Sequence, residues 1–205
     1  MIAKSTAIVY FYYMTFIFDI GGVVTNSAAI YPLIAQKLHI TTEQLIQFCS
    51  ASDYDIALAL TKGKIDVTEF WRIFSERSHI DVQENYWRTL FHPVQNKAVY
   101  DIITRLQKKY RVVTGTNTIQ DHYDTHMEHH DYDIFNKVYA SQLMHEAKPE
   151  LDFWKYILNA EQLAPSDAFF IDDTQENIDA AGSLGIHTHH FIDAAHLEEA
   201  VAQWL

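Results

Sequence analysis

The chain has 205 residues, 48% of them apolar and 20% charged, with a formal charge of −12. That length suits one domain with a modest insertion, and that composition supports a packed core and excludes wholesale disorder. With 15 basic residues against 27 acidic ones and no basic run longer than Lys108-Lys109, the chain lacks the basic face by which nucleic-acid binders release phosphate counterions, and no apolar run reaches the ~20 residues that cross a bilayer.

The first apolar run, Ala7 to Phe18 behind Lys4, has the length of a secretory signal core. It has a second reading. Thr15–Phe18 is β-branched or aromatic throughout and precedes Asp19 and Gly21-Gly22, the pattern of a buried strand ending in a tight turn. Helical signals follow. Ala28–Leu38 begins a helical region, and Thr41-Thr42-Glu43-Gln44 forms a capping box ahead of "LIQFC". A third helix, "YDIALALTKG", stops near Gly63. Asp66 and Glu69 repeat the capping spacing before "FWRIFSERS", and Glu84–Phe91 is amphipathic and closed by Pro93. The block from Ala28 to about Pro93 carries no strand signal and reads as an all-helical insertion. Cys49, the single cysteine, excludes an intrachain disulfide and reads as a small core residue on a helix. It suits a reducing compartment and, with the acidity, points to the cytoplasm.

Beyond Pro93 the pattern changes. The amphipathic helix "KAVYDIITRLQKKY" runs into the β-rich "RVVTGTN". The helical "HYDTHMEHH", a short "KVYAS" strand and the helix "ELDFWKYILNAEQL" come next. The buried strand "AFFI" precedes Asp172-Asp173 and the helix "NIDAAGSLG"; "HTHHFI" is a last strand and "HLEEAVAQWL" a last helix. Strands alternating with helices of this kind predict an α/β fold, a Rossmann-like parallel sheet with helices on both faces. The expected core spans 14–27 and 94–205, the expected insertion 28–93.

In an open parallel sheet, chemistry collects outside the carboxyl ends of the strands. The residues there are Asp19, Thr116-Asn117, Lys148-Pro149 and Asp172-Asp173. Each alone is ordinary: a turn, a helix cap, a loop, a cap pair. Together, in this order, they resemble the four motifs of the haloacid dehalogenase superfamily. "FIFDIGGVV" matches the first motif, "VVTGTN" the second, "AKPE" the third and "FFIDDTQEN" the fourth. The resemblance covers nearly everything except Met1–Tyr13. The insertion after the first motif is similar to the small helical cap of sugar-phosphate phosphatases in that superfamily. The "DxGGV" spelling is similar to the glucose-1-phosphatase-like and epoxide-hydrolase N-domain-like members.

The resemblance implies a magnesium-dependent phosphatase of a small phosphorylated metabolite such as a sugar phosphate. Asp19 would attack phosphorus to form an aspartyl-phosphate. Magnesium would be held by the Asp19 and Asp172 carboxylates and the Gly21 backbone carbonyl, with Asp173 orienting a bound water. Thr116 and the Asn117 N–H would bind phosphoryl oxygens, Lys148 would offset charge, and Asn177 would brace the last loop. Since cleavage near Ser27 would remove Asp19, the opening run reads as a strand rather than a signal. Met1–Tyr13 is then an extra segment or an over-extended start.

One position departs from the family pattern. Two residues after the nucleophile most of its phosphatases carry a second Asp, the acid for the leaving group; here Gly21 stands. A positioned acid contributes ~10²–10⁴-fold, so slow turnover of poor leaving groups is expected. The same gap demotes a mutase reading, while the complete Asp172-Asp173 pair demotes a dehalogenase. The alternative left open is a catalytically weak member of the fold that binds a phosphorylated ligand or a protein partner. Of the 12 histidines, His122, His126, His129 and His130 read together as a solvated polar helix face. His122, five residues beyond Asn117, is the one placed to touch substrate or supply the missing proton.

Overall fold

The computed structural model describes residues 14–26, 30–51 and 54–205; Met1–Tyr13, with both readings of it, lies outside the described residues. In chain order the elements are β1 (Thr15–Phe18), α1 (Ile30–Lys37), α2 (Thr42–Cys49), β2 (Ser50–Ala51), β3 (Tyr54–Asp55), α3 (Ile56–Thr61), α4 (Val67–Ser78), α5 (Tyr86–Thr89), α6 (Lys97–Leu106), β4 (Arg111–Thr114), α7 (Gln120–Glu128), α8 (Ser141–Met144), α9 (Leu151–Glu161), β5 (Ala168–Asp172), α10 (Gln175–Ser183), β6 (His187–His190) and α11 (Ala194–Val201).

Four strands form a parallel sheet in the order β4-β1-β5-β6. β1 is central because every one of its residues is apolar or β-branched and buried, as a strand covered on both faces requires. Phe16 and Phe18 point to one side, among Val99, Ile103, Leu106, Leu197 and Val201 of α6 and α11. Ile17 points to the other, among Phe153, Trp154, Ile157 and Ala181 of α9 and α10. The period-two alternation thus distributes β1 between two helical layers, and helices cover both faces as expected. Phe18 is in register with Thr114 on one side and Ile171 on the other. The chain therefore leaves β1, β4 and β5 at the same edge of the sheet, with Asp19, Thr116 and Asp172 at that edge.

The insertion has its own core, in which Ile34, Leu45, Cys49, Phe70, Phe74 and Trp87 are buried. Its helices are capped as the sequence directs: the Gln44 N–H donates to Thr41 Oγ1 (3.2 Å) and the Thr41 N–H to Gln44 Oε1 (2.9 Å). Three expectations need correction. The insertion is not wholly helical: β2 and β3 pair as an antiparallel ribbon of two residues each, too short to show an alternating pattern. The 84–91 helix shrinks to α5, which starts where Asn85 caps Arg88 and leaves Glu84 and Leu90–Phe91 outside. "KVYAS" forms isolated bridges, Lys137 to Val113 and Ala140 to Thr116, rather than a strand. It still closes the outer edge of β4, since the Thr114 and Thr116 N–H groups donate to the carbonyls of Lys137 and Tyr139 (both 3.1 Å). Among the described residues no helix is long and apolar enough to cross a membrane.

Candidate active site

Asp19 is the first residue past β1, and its N–H donates to the Ile171 carbonyl at 2.9 Å, so the neighbouring strand fixes where its carboxylate emerges. The side chain meets Lys148, whose ammonium donates to Asp19 Oδ1 (2.9 Å) and Asp172 Oδ2 (2.6 Å). Lys148 is only 4% exposed and Asp172 fully buried, so each charge depends on the others for the stabilisation that water no longer provides. Asn117 sets the ammonium's position. Its amide donates to the Lys148 carbonyl and accepts from the Lys148 N–H, both at 2.9 Å. That side chain is thus committed to the loop, leaving the backbone for any phosphoryl group. Asn177 donates to both oxygens of Asp172 (3.0 and 3.1 Å), and the Thr174 N–H donates to Asp172 Oδ1 (2.8 Å). Thr116 is buried just past β4, and among the described residues its hydroxyl is engaged only in a long 3.5 Å contact to the Asn117 carbonyl.

The carboxylates of Asp19, Asp172 and Asp173 each offer an oxygen, and these oxygens lie within 4.8 Å of one another. Glycine makes that approach possible. Gly22 adopts φ +83°, and a Cβ there would stand 2.0 Å from Asp173 Oδ2. Burial above all, aided by the charge of Asp172, pushes the Asp19 carboxyl up to about 6 against the pull of Lys148. Burial and Asp172 likewise raise Asp173. Lys148 is held above the ordinary lysine range, because its two carboxylates outweigh the burial that would lower it. Three carboxylates against one ammonium leave an excess of two negative charges, and all the donors are oxygens. That set fits a hard divalent cation such as magnesium.

Gly21, Thr25, Thr116, Asn117, His122 and His126 line a small cavity of about 140 Å³ beside this cluster. It adjoins a second of about 230 Å³, which shares Ile30, Asn117, Thr118 and His122 and is otherwise walled by Tyr31, Ala57, Leu60, Thr61, Trp87 and Ile119. His122 stacks on Phe91 (ring centroids 3.7 Å apart), and its Nε2 lies 3.0 Å from the Trp87 carbonyl. That carbonyl can only accept, so Nε2 carries the hydrogen. Burial drives the imidazole down to about 3, leaving it neutral near pH 7. A neutral ring whose N–H is already donated to a backbone carbonyl is a poor proton source, although its Nδ1 can accept a hydrogen bond. The expected solvated face fits His129 and His130, which are exposed, but not His126. His126 is only 3% exposed because α7 turns it inward, where Asp131 meets its Nδ1 at 2.7 Å. Its partner lies five residues on, past the end of the helix, where helical spacing gives no sign of it.

The comparisons with known proteins agree with this geometry. The family description of haloacid dehalogenase-like hydrolases matches residues 16–191. A sesquiterpene phosphatase of Aspergillus oryzae is 32% identical over 66 residues, which is 32% of this chain and 34% of that protein. An acyl-CoA dehydrogenase family member of mouse is 27% identical over 188 residues, 86% of this chain but 18% of that protein. The chain thus spans about a third of one of these curated relatives and under a fifth of the other. Among solved structures, a HAD family enzyme of Bacteroides thetaiotaomicron in complex with magnesium and inorganic phosphate superposes with TM-score 0.71 at 26% identity, covering 90% of this chain and 98% of that one. A predicted HAD-like hydrolase of Porphyromonas gingivalis shares the fold, with TM-score 0.75 at 21% identity over 93% of this chain and 97% of that one. With all four motifs inside the matched span and Lys148 bridging Asp19 and Asp172, this chain belongs to the haloacid dehalogenase-like hydrolases.

Proposed function

We propose that the protein is a magnesium-dependent phosphatase of a small phosphorylated metabolite, with Asp19 as nucleophile. The observation that carries this reading is the buried Asp19–Lys148–Asp172 cluster, with Asp173 beside it, at the carboxyl edge of β1. Phosphoryl transfer asks for a nucleophile, neutralisation of the equatorial oxygens and an in-line approach. Asp19 forms the bond to phosphorus, and Lys148 offsets the charge shared by that carboxylate and the phosphoryl group. The Thr116 hydroxyl and the Asn117 N–H bind phosphoryl oxygens, and Asn177 keeps Asp172 in place. Asp19, Asp172 and the Gly21 carbonyl would hold magnesium, which would supply the remaining positive charge, and Asp173 would orient a water in the site. The 28–93 insertion is the cap of this site.

The wall of the larger cavity bears on the organic part of the substrate. Ile30, Tyr31, Ala57, Leu60, Trp87 and Ile119 form an apolar and aromatic wall, with Thr61, Asn117, Thr118 and His122 as its polar part. A phosphoester with a substantial apolar portion suits them better than the sugar phosphate expected from the sequence, in keeping with the sesquiterpene substrate named for the fungal relative. The experiment is a panel of phosphomonoesters with prenyl, aryl and sugar organic portions, assayed with magnesium. Phosphate release is expected, with the apolar esters showing the lowest KM. Preference for the sugar esters would overturn the apolar assignment, and no turnover of any ester would overturn the phosphatase.

One observation favours a second reading, a binding protein with weak turnover. A Cβ at Gly21 would meet nothing within 4 Å, so the place of the family's acid is open space. Phosphate binding without turnover in the same panel would select it.

A further inference from the structure

If Gly21 cannot protonate the leaving group, some other side chain on the same small cavity must do so, or the alcohol departs as an alkoxide. Two titratable side chains line that cavity, His122 and His126. His122 is excluded by its neutral state and its commitment to the Trp87 carbonyl. We propose that His126, paired with Asp131, is the general acid and base of this enzyme and takes the place that Gly21 leaves vacant. The proposal rests on the phosphatase reading above.

The geometry is that of a buried, oriented imidazole. Asp131 is 1% exposed and accepts at 2.7 Å from His126 Nδ1, which fixes the tautomer and the orientation of the ring. Asp131 is itself held: Gln95 Nε2 donates to its other oxygen (2.7 Å), and the Tyr100 hydroxyl donates to its carbonyl (2.8 Å). Burial would raise the Asp131 carboxyl, but the His126 and Gln95 hydrogen bonds more than offset this, and it stays below its ordinary value and ionised. Among the described residues no protein partner engages Nε2 of His126, and the ring borders the cavity that Gly21 and Thr116 also line. Phe91 and Tyr132 pack against the ring, each at 5.3 Å. The charged or titratable neighbours are Asp131, His122 and Tyr132, with His129 acting on Asp131 and Arg88 on His122.

The pair is also tied to the loop whose acid is missing. Gly21 bridges to Thr25 and Thr25 bridges to Gln95, the residue that holds Asp131. A cavity of about 140 Å³ has room for roughly five water-sized volumes of ~30 Å³. A leaving oxygen held in it shares the cavity with the His126 side chain, which forms part of its wall.

The chemistry balances in both halves. In the first, the bond from Asp19 to phosphorus forms as the bond from phosphorus to the ester oxygen breaks. The His126 imidazolium gives its Nε2 proton to that oxygen, so a neutral alcohol leaves and His126 becomes neutral. In the second, water attacks phosphorus from the side the alcohol vacated, opposite Asp19. Nε2 takes one of its protons, the bond to Asp19 breaks, and the products are hydrogen phosphate, the Asp19 carboxylate and the imidazolium. The in-line geometry of both steps puts leaving alcohol and attacking water in one place, so a single residue serves both.

The test compares kcat/KM, which reports the steps through alcohol release, for an alkyl phosphate and for p-nitrophenyl phosphate with magnesium. The nitrophenol leaves without a proton, whereas the alkanol does not. In His126→Gln the alkyl ester is expected to lose ~10²–10⁴-fold and the nitrophenyl ester less than about tenfold. Equal losses on the two esters would overturn the assignment and leave His126 a structural residue. Wild-type failure on both would instead overturn the phosphatase reading, and the inference with it. Should His126→Gln not fold, Asp131→Asn carries the same comparison with the same expected selectivity, and equal losses there overturn the assignment as well.

Discussion

Buried charge at Asp19 is tolerable because Lys148 reaches both Asp19 and Asp172, and because Asn117 clamps the peptide that carries the lysine. Removing any one of these would strand the others. The residue types were legible in the sequence, since each closes a strand or follows one in a fixed order. The partner of His126 was not, because Asp131 belongs to the turn after α7 and reaches back to a ring that spacing alone places on a solvated stripe. His122 tests how these buried rings behave. Its folded pKa of about 3 lies below the ~6.5 of an unfolded histidine. The stability that comes from keeping it neutral is therefore present above pH ~6.5 and lost as pH falls toward 3. Between pH 7 and pH 5 this amounts to ~2 kcal/mol. His122→Phe, which keeps the stack on Phe91, should flatten that part of the stability profile in urea melts at the two pH values. An unchanged loss between pH 7 and 5 would place the acid sensitivity elsewhere.

At the scale of elements, the insertion is fastened to the core at two places that flank the cavity. Arg88 of α5 donates to the Asp121 carbonyl (2.9 Å) and the Thr125 hydroxyl (2.8 Å) of α7 and pairs with Glu128. On the opposite flank Lys62 pairs with Glu150, the Ser141 hydroxyl donates to the Thr61 carbonyl (2.7 Å), and His145 Nδ1 lies 2.9 Å from the Lys62 carbonyl. The Glu128 pair is largely exposed and contributes little; the two bonds into α7 each contribute ~1 kcal/mol. Arg88→Ala should raise KM for a bulky apolar ester several-fold while changing KM for a small phosphoester little, as steady-state kinetics would show. Equal changes in both would mean that α5 does not shape the apolar wall. The elements that escaped the sequence share a cause. β2 and β3 are two residues each, and "KVYAS" pairs with β4 through alternate carbonyls without becoming a strand, so neither carries enough residues for a period to emerge. β1 and β5, by contrast, are legible because sheet-internal strands must be apolar on both faces.

Across the whole molecule, the parallel sheet converts sequence order into proximity. Asp19, Lys148 and Asp172 are separated by 129 and 24 positions yet meet within hydrogen-bonding distance, because β1 lies between β4 and β5 and all three strands end at one edge. That convergence carries the excess negative charge which a divalent cation would neutralise, and in the proposed mechanism Asp19 takes part in both metal and phosphoryl binding. The central claim is therefore tested most directly by phosphate release from p-nitrophenyl phosphate, measured with magnesium, with magnesium removed by chelator, and with Asp19→Asn. The expected result is release that requires magnesium and falls to the uncatalysed background in Asp19→Asn. Asp19→Asn turning over at the wild-type rate, or release undiminished by the chelator, would contradict it.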